Sequence, residues 1–193
     1  MRRRQERNRR ALLRAARTLM ARHGYEKTTI AAITRAANVG FGTFYLYFRG
    51  KEDILRALLD DAVQRHIAGL AEVTRGAPSG AEAIQRVIAH YVDAAIEHRD
   101  LFKILFEHGG NRREPLRRVH QALVRAIEDA IARGVRDGEL RHVNPALAAR
   151  AIAGMVPAAL LWAARSRTVS RDTLVVSLSD LALRGLSVEE GLS

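Results

Sequence analysis

Residues 28 to 51, TTIAAITRAANVGFGTFYLYFRGK, decide how the rest of the chain is read. They describe two short helices joined by a tight turn, the second built to present side chains outward rather than bury them. Ile30 and Ile33, with Ala36 and Ala37, give the first helix an apolar side at helical spacing. Asn38 sits where the chain must reverse, and asparagine tolerates a left-handed backbone better than most residues. Val39 plugs inward. Phe44 and Phe48 are four apart, so they share a face and anchor the second helix. Phe41, Thr43, Tyr45 and Tyr47 take the complementary positions, and Lys51 follows at once. This is the layout of a helix-turn-helix, whose second helix enters the major groove of DNA.

The charge map agrees. Residues 1 to 51 hold thirteen Lys or Arg against two acids, Glu6 and Glu26, so the formal net charge of +11 lies entirely in this segment. The remaining residues carry nineteen basic and nineteen acidic side chains and cancel. Duplex DNA is a dense row of phosphates, and a domain this basic gains affinity for it by releasing condensed counterions. A charge run alone also suits a solvated tail; the helix-turn-helix pattern in the same segment favours DNA. The arginines at 2, 3, 4, 7, 9 and 10 suit either an arm in an adjacent minor groove or a disordered, generally attractive tail.

The chain has 193 residues, 48% of them hydrophobic, enough for one or two small domains with a sizeable core. Cysteine is absent, which removes disulfides, thiolate metal sites and cysteine nucleophiles. The basic N-terminus is followed by no apolar run of a signal peptide. The longest uncharged stretch, Ala151 to Ala164, has fourteen residues with a Gly and a Pro inside, short of the roughly 20 that span a bilayer. No membrane partner is expected, and a cytoplasmic location is.

No segment alternates like a strand. An amphipathic helix is expected over about residues 7 to 22, ended by Gly24, with Thr28 or Thr29 capping the next. Longer helices are expected over Lys51 to Val73, Ala81 to His98, Pro115 to about Asp137, Pro145 to about Ala164 (kinked at Pro157) and Arg171 to Leu186, with a short one from Leu101 to Phe106. The fold class is all-α, about nine helices: a three-helix DNA-binding domain over residues 1–50 and a helical domain over residues 51–193.

The run from Gly24 to Leu55, GYEKTTIAAITRAANVGFGTFYLYFRGKEDIL, resembles the DNA-binding segment of TetR-type bacterial transcriptional regulators. The paired threonines, the turn, Gly-Thr-Phe-Tyr, Tyr-Phe and Lys-Glu all fit without gaps. The resemblance covers about the first quarter of the chain; later, GELRHVNPALAARAIAGMVPAALLW looks like the stretch leading into that family's dimer helices. It implies DNA contacts from Thr28, Thr29, Gly40, Phe41, Gly42, Thr43, Tyr45, Tyr47 and Lys51. Thr29, Tyr45, Tyr47 and Lys51 match phosphate-contacting positions, while Phe41 and Thr43 match positions turned toward base edges. The chain departs from the family pattern at Asn38, where glycine is frequent, and at Gly40 and Gly50, where serine is common. No Arg, Asn or Gln lies in the 40 to 48 run for a bidentate base contact, so base reading would lean on Phe41, on close backbone approach at Gly40 and Gly42, and on DNA shape.

Catalytic patterns are weak. GFGTFY at 40 to 45 lacks the third glycine and the preceding strand of a dinucleotide loop. GAPSG at 76 to 80 misplaces the serine of a nucleophile elbow, and the seven histidines form no HExxH motif. No metal, cofactor or enzymatic activity is expected. Tyr91, Phe102, Leu105, Phe106, Met155 and Trp162, with Arg86, His90 and His120 as polar contacts, are candidates to line an effector pocket between helices, or else to fill the core. The apolar helices at 145 to 164 and 171 to 186 are candidates for a homodimer interface. Together these readings point to a homodimeric transcriptional regulator, a repressor, that binds a palindromic operator in double-stranded DNA and responds to a small apolar or amphipathic effector. The alternatives are a DNA-binding protein indifferent to sequence and an all-α enzyme with a basic tail.

Overall fold

The computed structural model describes residues 2–101, 113–166 and 169–187. Among these the chain forms eight helices: α1 Arg2–His23, α2 Ile30–Ala36, α3 Phe41–Phe44, α4 Lys51–Arg75, α5 Gly80–Glu97, α6 Arg113–Arg136, α7 Pro145–Ser166 and α8 Arg171–Arg184. A single bridge between Leu140 and Ser187 is the β pairing found among the described residues. The fold is all-α, as the apolar periodicities predict.

The helix ends follow local chemistry. Gly24 adopts φ +82° after α1, and its amide reaches Met20 O at 2.9 Å. The Thr29 hydroxyl accepts from the Ala32 amide at 3.1 Å, a cap of about 1 kcal/mol. Asn144 caps α7 through Leu147 N at 3.1 Å, and Pro145 takes the first helical position, where its missing N–H costs nothing. α7 continues through Pro157.

Two expectations need correction, and a third is not tested. α1 begins at Arg2, not near residue 7, so the arginine run is helical rather than an extended arm. α3 proper spans only Phe41–Phe44, although Tyr47 N and Phe48 N still bond to Phe44 O at 3.0 Å each. The short helix expected to Phe106 lies outside the described residues beyond Leu101.

The chain divides into two compact units, Met1–Val63 with His98–Pro115 and Gln64–Glu97 with Leu116–Ser193. α4 contributes residues to both, so this division does not fall at residue 50, where the DNA-binding motif ends. In the first unit Leu12, Ala16, Met20, Ile33, Phe44, Phe48, Ile54 and Leu55 are buried. Arg17 on α1 holds the Asp100 carboxylate through two nitrogens, at 3.0 and 3.2 Å, and lies 3.1 Å from His98 Nδ1.

In the second unit α5, α7 and α8 pack together, with Ile84, Val87, Ile88, Val156 and Leu178 buried, and α6 buries Leu123, Ile127 and Ile131. The start of α5 presses on α6: a Cβ added to Gly80 would lie 2.6 Å from Ala130 O and 2.7 Å from the Gly134 backbone. Glu139 accepts from Gly80 N at 2.8 Å and closes that end. Arg171 ties α8 to α5 through both Asp93 oxygens, at 2.6 and 2.8 Å.

Candidate functional site

The turn before the recognition helix depends on Asn38, the one described non-glycine residue at positive φ (51°). That conformation costs asparagine little, and it lets Val39 N return to Thr34 O at 3.0 Å. Phe44 and Phe48 then anchor the segment, fully and nearly fully buried, with ring centroids 5.7 Å apart. The opposite face is open. Phe41 is 54% and Tyr45 51% exposed, their rings in edge contact at 5.7 Å. Thr43 and Tyr47 are half-buried, and Gly40 and Gly42 are exposed. A Cβ at Gly42 would meet nothing within 4 Å.

Leu46, 78% exposed, belongs to this surface and was not expected there. An apolar residue between two tyrosines looks like core in sequence; only the anchoring by Phe44 and Phe48 turns it outward. Thr28 is the reverse case. It is buried, and its hydroxyl donates to Gly24 O at 2.8 Å, so it secures the end of α1 instead of facing DNA. Thr29 is exposed at the α2 N-terminus. Lys51 is half-buried: its ammonium donates to Tyr25 O at 2.9 Å and Glu26 O at 3.1 Å and lies 4.3 Å from the Tyr25 ring centre. Two of its three donors thus hold the α1–α2 turn, a role that its match to a phosphate anchor does not reveal.

The effector candidates scatter. Tyr91 is buried, in edge contact with His66 at 5.2 Å. His90 stacks on His66 at 4.9 Å, and its Nε2 lies 3.1 Å from His66 O. Gly69 makes room for that ring, since a Cβ there would overlap His90 Cε1. Arg86 is occupied by Glu82 and Gly76 O. Met155 is half-buried. His120 and Trp162 are exposed and do not line an interior of this chain: α6 buries Val119, Leu123 and Ile127, which turns His120 to the other side, and Trp162 opposes the buried face of α7. Phe102, Leu105 and Phe106 lie outside the described residues.

Burial pushes the Tyr91 phenol up to about 12. The folded state therefore keeps the proton that the unfolded chain releases near pH 10. This contribution is complete below about pH 10 and is lost as pH rises toward about 12, amounting to up to roughly 3 kcal/mol. Tyr91→Phe is expected to flatten that part of the stability curve in denaturant titrations; an unchanged alkaline decline would assign it to other groups.

α7 carries apolar residues on two sides. Ala149, Ile152, Ala153 and Val156 are buried, while Leu147, Leu161 (40%) and Trp162 (60%) are exposed on the opposite face. On α8, Val176 and Leu181 are 67% and 64% exposed. Pro145–Arg165, with mean hydropathy 1.6, is by length and composition alone apolar enough to cross a membrane, a longer stretch than the run between Arg150 and Arg165 indicates. Of its most apolar window 28% is buried inside the protein. No group of three or more metal-ligating side chains occurs among the described residues.

With this geometry in place, the comparisons are specific. Residues 12–58 match the family model of bacterial regulatory proteins, tetR family, and residues 77–186 match the tetracyclin repressor-like C-terminal domain. The chain belongs to the TetR family and is a DNA-binding transcriptional regulator. It is 24% identical over 178 residues to a fatty acid metabolism regulator protein of Bacillus subtilis, covering 89% of this chain and 92% of that one. The crystal structure of the transcriptional regulator FadR from B. subtilis in complex with stearoyl-CoA superposes with TM-score 0.73 at 22% identity, over 91% of this chain and 97% of that one. A putative transcriptional regulator from Saccharomonospora viridis in complex with choline superposes with TM-score 0.82 at 18% identity, over 94% and 98%.

Proposed function

We propose that the protein is a homodimeric repressor that reads a palindromic operator through the exposed side of α3 and releases it on binding an amphipathic effector. The observation that carries the reading is the two-sided segment after Asn38, with Phe44 and Phe48 inside and Phe41, Gly42, Tyr45 and Leu46 outside. Phe41 and Leu46 suit thymine methyls, Gly40 and Gly42 allow close backbone approach, and Thr43 supplies a hydroxyl. Thr29, Tyr45, Tyr47 and the remaining donor of Lys51 are assigned to phosphates, where they fix register rather than sequence.

Dimerisation through α7 and α8 gives their outer faces a partner and sets two recognition helices on two half-sites. The relative bound to stearoyl-CoA makes long-chain acyl-CoA the first effector to test, and the one bound to choline adds a small quaternary ammonium as the contrast. Arg86, His90, Tyr91 and Met155, all in the second unit, remain candidates to line that site; Phe102, Leu105 and Phe106, expected beside them, lie outside the described residues. Release requires the effector to bind the DNA-free form more tightly than the operator complex. Such a regulator works beside the chromosome, in the cytoplasm.

The test is competition between the palindrome and random DNA at fixed salt, for the wild type and for Gly42→Ala. An added methyl on an exposed helical glycine raises stability by up to about 1 kcal/mol. At a tight DNA contact the same methyl costs about 1–3 kcal/mol, so operator affinity falls roughly 10- to 100-fold. A wild-type preference near one identifies a sequence-indifferent binder. An affinity untouched by Gly42→Ala removes α3 from the groove.

A further inference from the structure

Seven arginines lie among residues 2 to 14 of α1, with Glu6 the one acid. Helical geometry sorts them. Arg3, Arg7, Arg10 and Arg14 recur at spacings of four, three and four, so they form one stripe. All four are exposed, and with Glu6 they border one shallow groove. The stripe faces away from Leu12, Ala16 and Met20, the buried side of the same helix. Arg10 pairs with Glu6 at 3.0 Å, both largely exposed; no ion pair is found for Arg3, Arg7 or Arg14 among the described residues. Arg9, on another side, lies 5.7 Å from the centre of the Phe48 ring at the end of the recognition segment. The stripe therefore sits in the same compact unit as α3, and α1 extends about two turns beyond the level of Arg9.

Apart from Glu6 beside Arg10, nothing within the helix favours this charge. The first turn contains no acid, so cations meet the positive end of the helix dipole. Arg3 with Arg7, and Arg10 with Arg14, are like charges one turn apart, an unfavourable spacing. A row of anions outside the protein relieves both. We propose that Arg3, Arg7, Arg10 and Arg14 form a second DNA-binding surface, one that takes up backbone phosphates of the duplex flanking the half-site, independent of base sequence. The inference rests on the reading of α3 as the recognition helix. From Arg3 to Arg14 the stripe runs about 16 Å, the rise of about five base-pair steps. Guanidinium suits it, because its planar fork takes phosphate oxygens two at a time. A membrane surface suits it less: residues 2 to 10 carry no apolar side chain to insert, and Leu12, Ala16 and Met20, which follow, are buried in the protein.

The experiment compares the full-length wild type with a variant carrying Arg3→Gln, Arg7→Gln, Arg10→Gln and Arg14→Gln, on two operator duplexes. One ends at the palindrome; the other carries about ten flanking base pairs on each side. Glutamine keeps helix propensity close to that of arginine, and circular dichroism checks the fold. On the flanked duplex the variant is expected to flatten the slope of log affinity against log salt by about 0.9 per arginine, or about 3 to 4 per protomer. On the trimmed duplex the two proteins are expected to bind alike, and the four-lysine counterpart is expected to retain the wild-type slope. Equal slopes for wild type and variant on the flanked duplex overturn the proposal. So does a loss of equal size on both duplexes, which would place the arginines at the palindrome itself. Capture by anionic phospholipid vesicles that depends on the same arginines, with no effect on DNA, reassigns the surface to membranes and also overturns it. If the wild type shows no preference for the palindrome, the α3 reading fails, a result distinct from any of these.

Discussion

Glutamate placed at Leu161 and Val176 together is expected to halve the sedimenting mass of the protein and to lower operator affinity by at least about 100-fold. Both side chains are exposed in the single chain, at 40% and 67%, so substitution there should leave the protomer's stability within about 0.5 kcal/mol. Across a two-fold interface each residue recurs on the partner, and two buried carboxylates without cations cost several kcal/mol. Once the dimer separates, the two half-sites are no longer bound as one, and losing about 3 kcal/mol of joint binding already gives that factor. Affinity for an isolated half-site should stay unchanged. A variant that keeps the wild-type mass and operator affinity would move the pairing surface away from α7 and α8.

The second large effect concerns stability alone. Gly80→Ala is expected to destabilise the C-terminal unit by about 3–5 kcal/mol, with a fall in melting temperature on the order of 10 °C. Helix propensity by itself argues the opposite, since alanine exceeds glycine by about 1 kcal/mol. The position decides: a Cβ at Gly80 would sit 2.6–2.7 Å from Ala130 O and the Gly134 backbone, atoms that move only if α6 moves. Gly134→Ala provides the contrast. Its Cβ meets Leu140 Cδ1 at 2.6 Å and Cγ at 2.7 Å, side-chain rather than backbone atoms, which shift at lower cost than a helix. Thermal and denaturant unfolding of both variants should therefore give a larger loss at Gly80. Equal or negligible losses would mean that α5 and α6 are not locked at this point.

These examples show which features the amino-acid order reveals. The helix-turn-helix was legible because its determinants are local: Asn38 at the left-handed turn, Thr29 at a cap, and Phe44 and Phe48 one turn apart. The start of α7 was legible for the same reason, through Asn144-Pro145. The close approach at Gly80 and Gly134 was not, because a glycine that admits another helix looks in sequence like one that ends a helix. Thr28 and Thr29 are chemically equivalent neighbours, and only the fold decides which hydroxyl turns back to Gly24 O. Lys51 matched a phosphate anchor by position, yet its ammonium holds two carbonyls of its own chain. The arginine run was left outside the first helix, with a groove-bound arm and a disordered tail both open, because residues 2 to 10 carry no apolar periodicity. His120 and Trp162 were placed in a pocket by residue type, and periodicity against their buried neighbours turns both outward.

Trp162 has a further consequence. It is the one tryptophan of the chain and stands 60% exposed on α7. Indole emission moves to shorter wavelength when the ring leaves water, so the protein carries its own optical reporter at the face assigned to pairing. With no second indole to contribute background and no cysteine to block before labelling, assembly can be followed by diluting the unmodified protein in a fluorimeter cuvette.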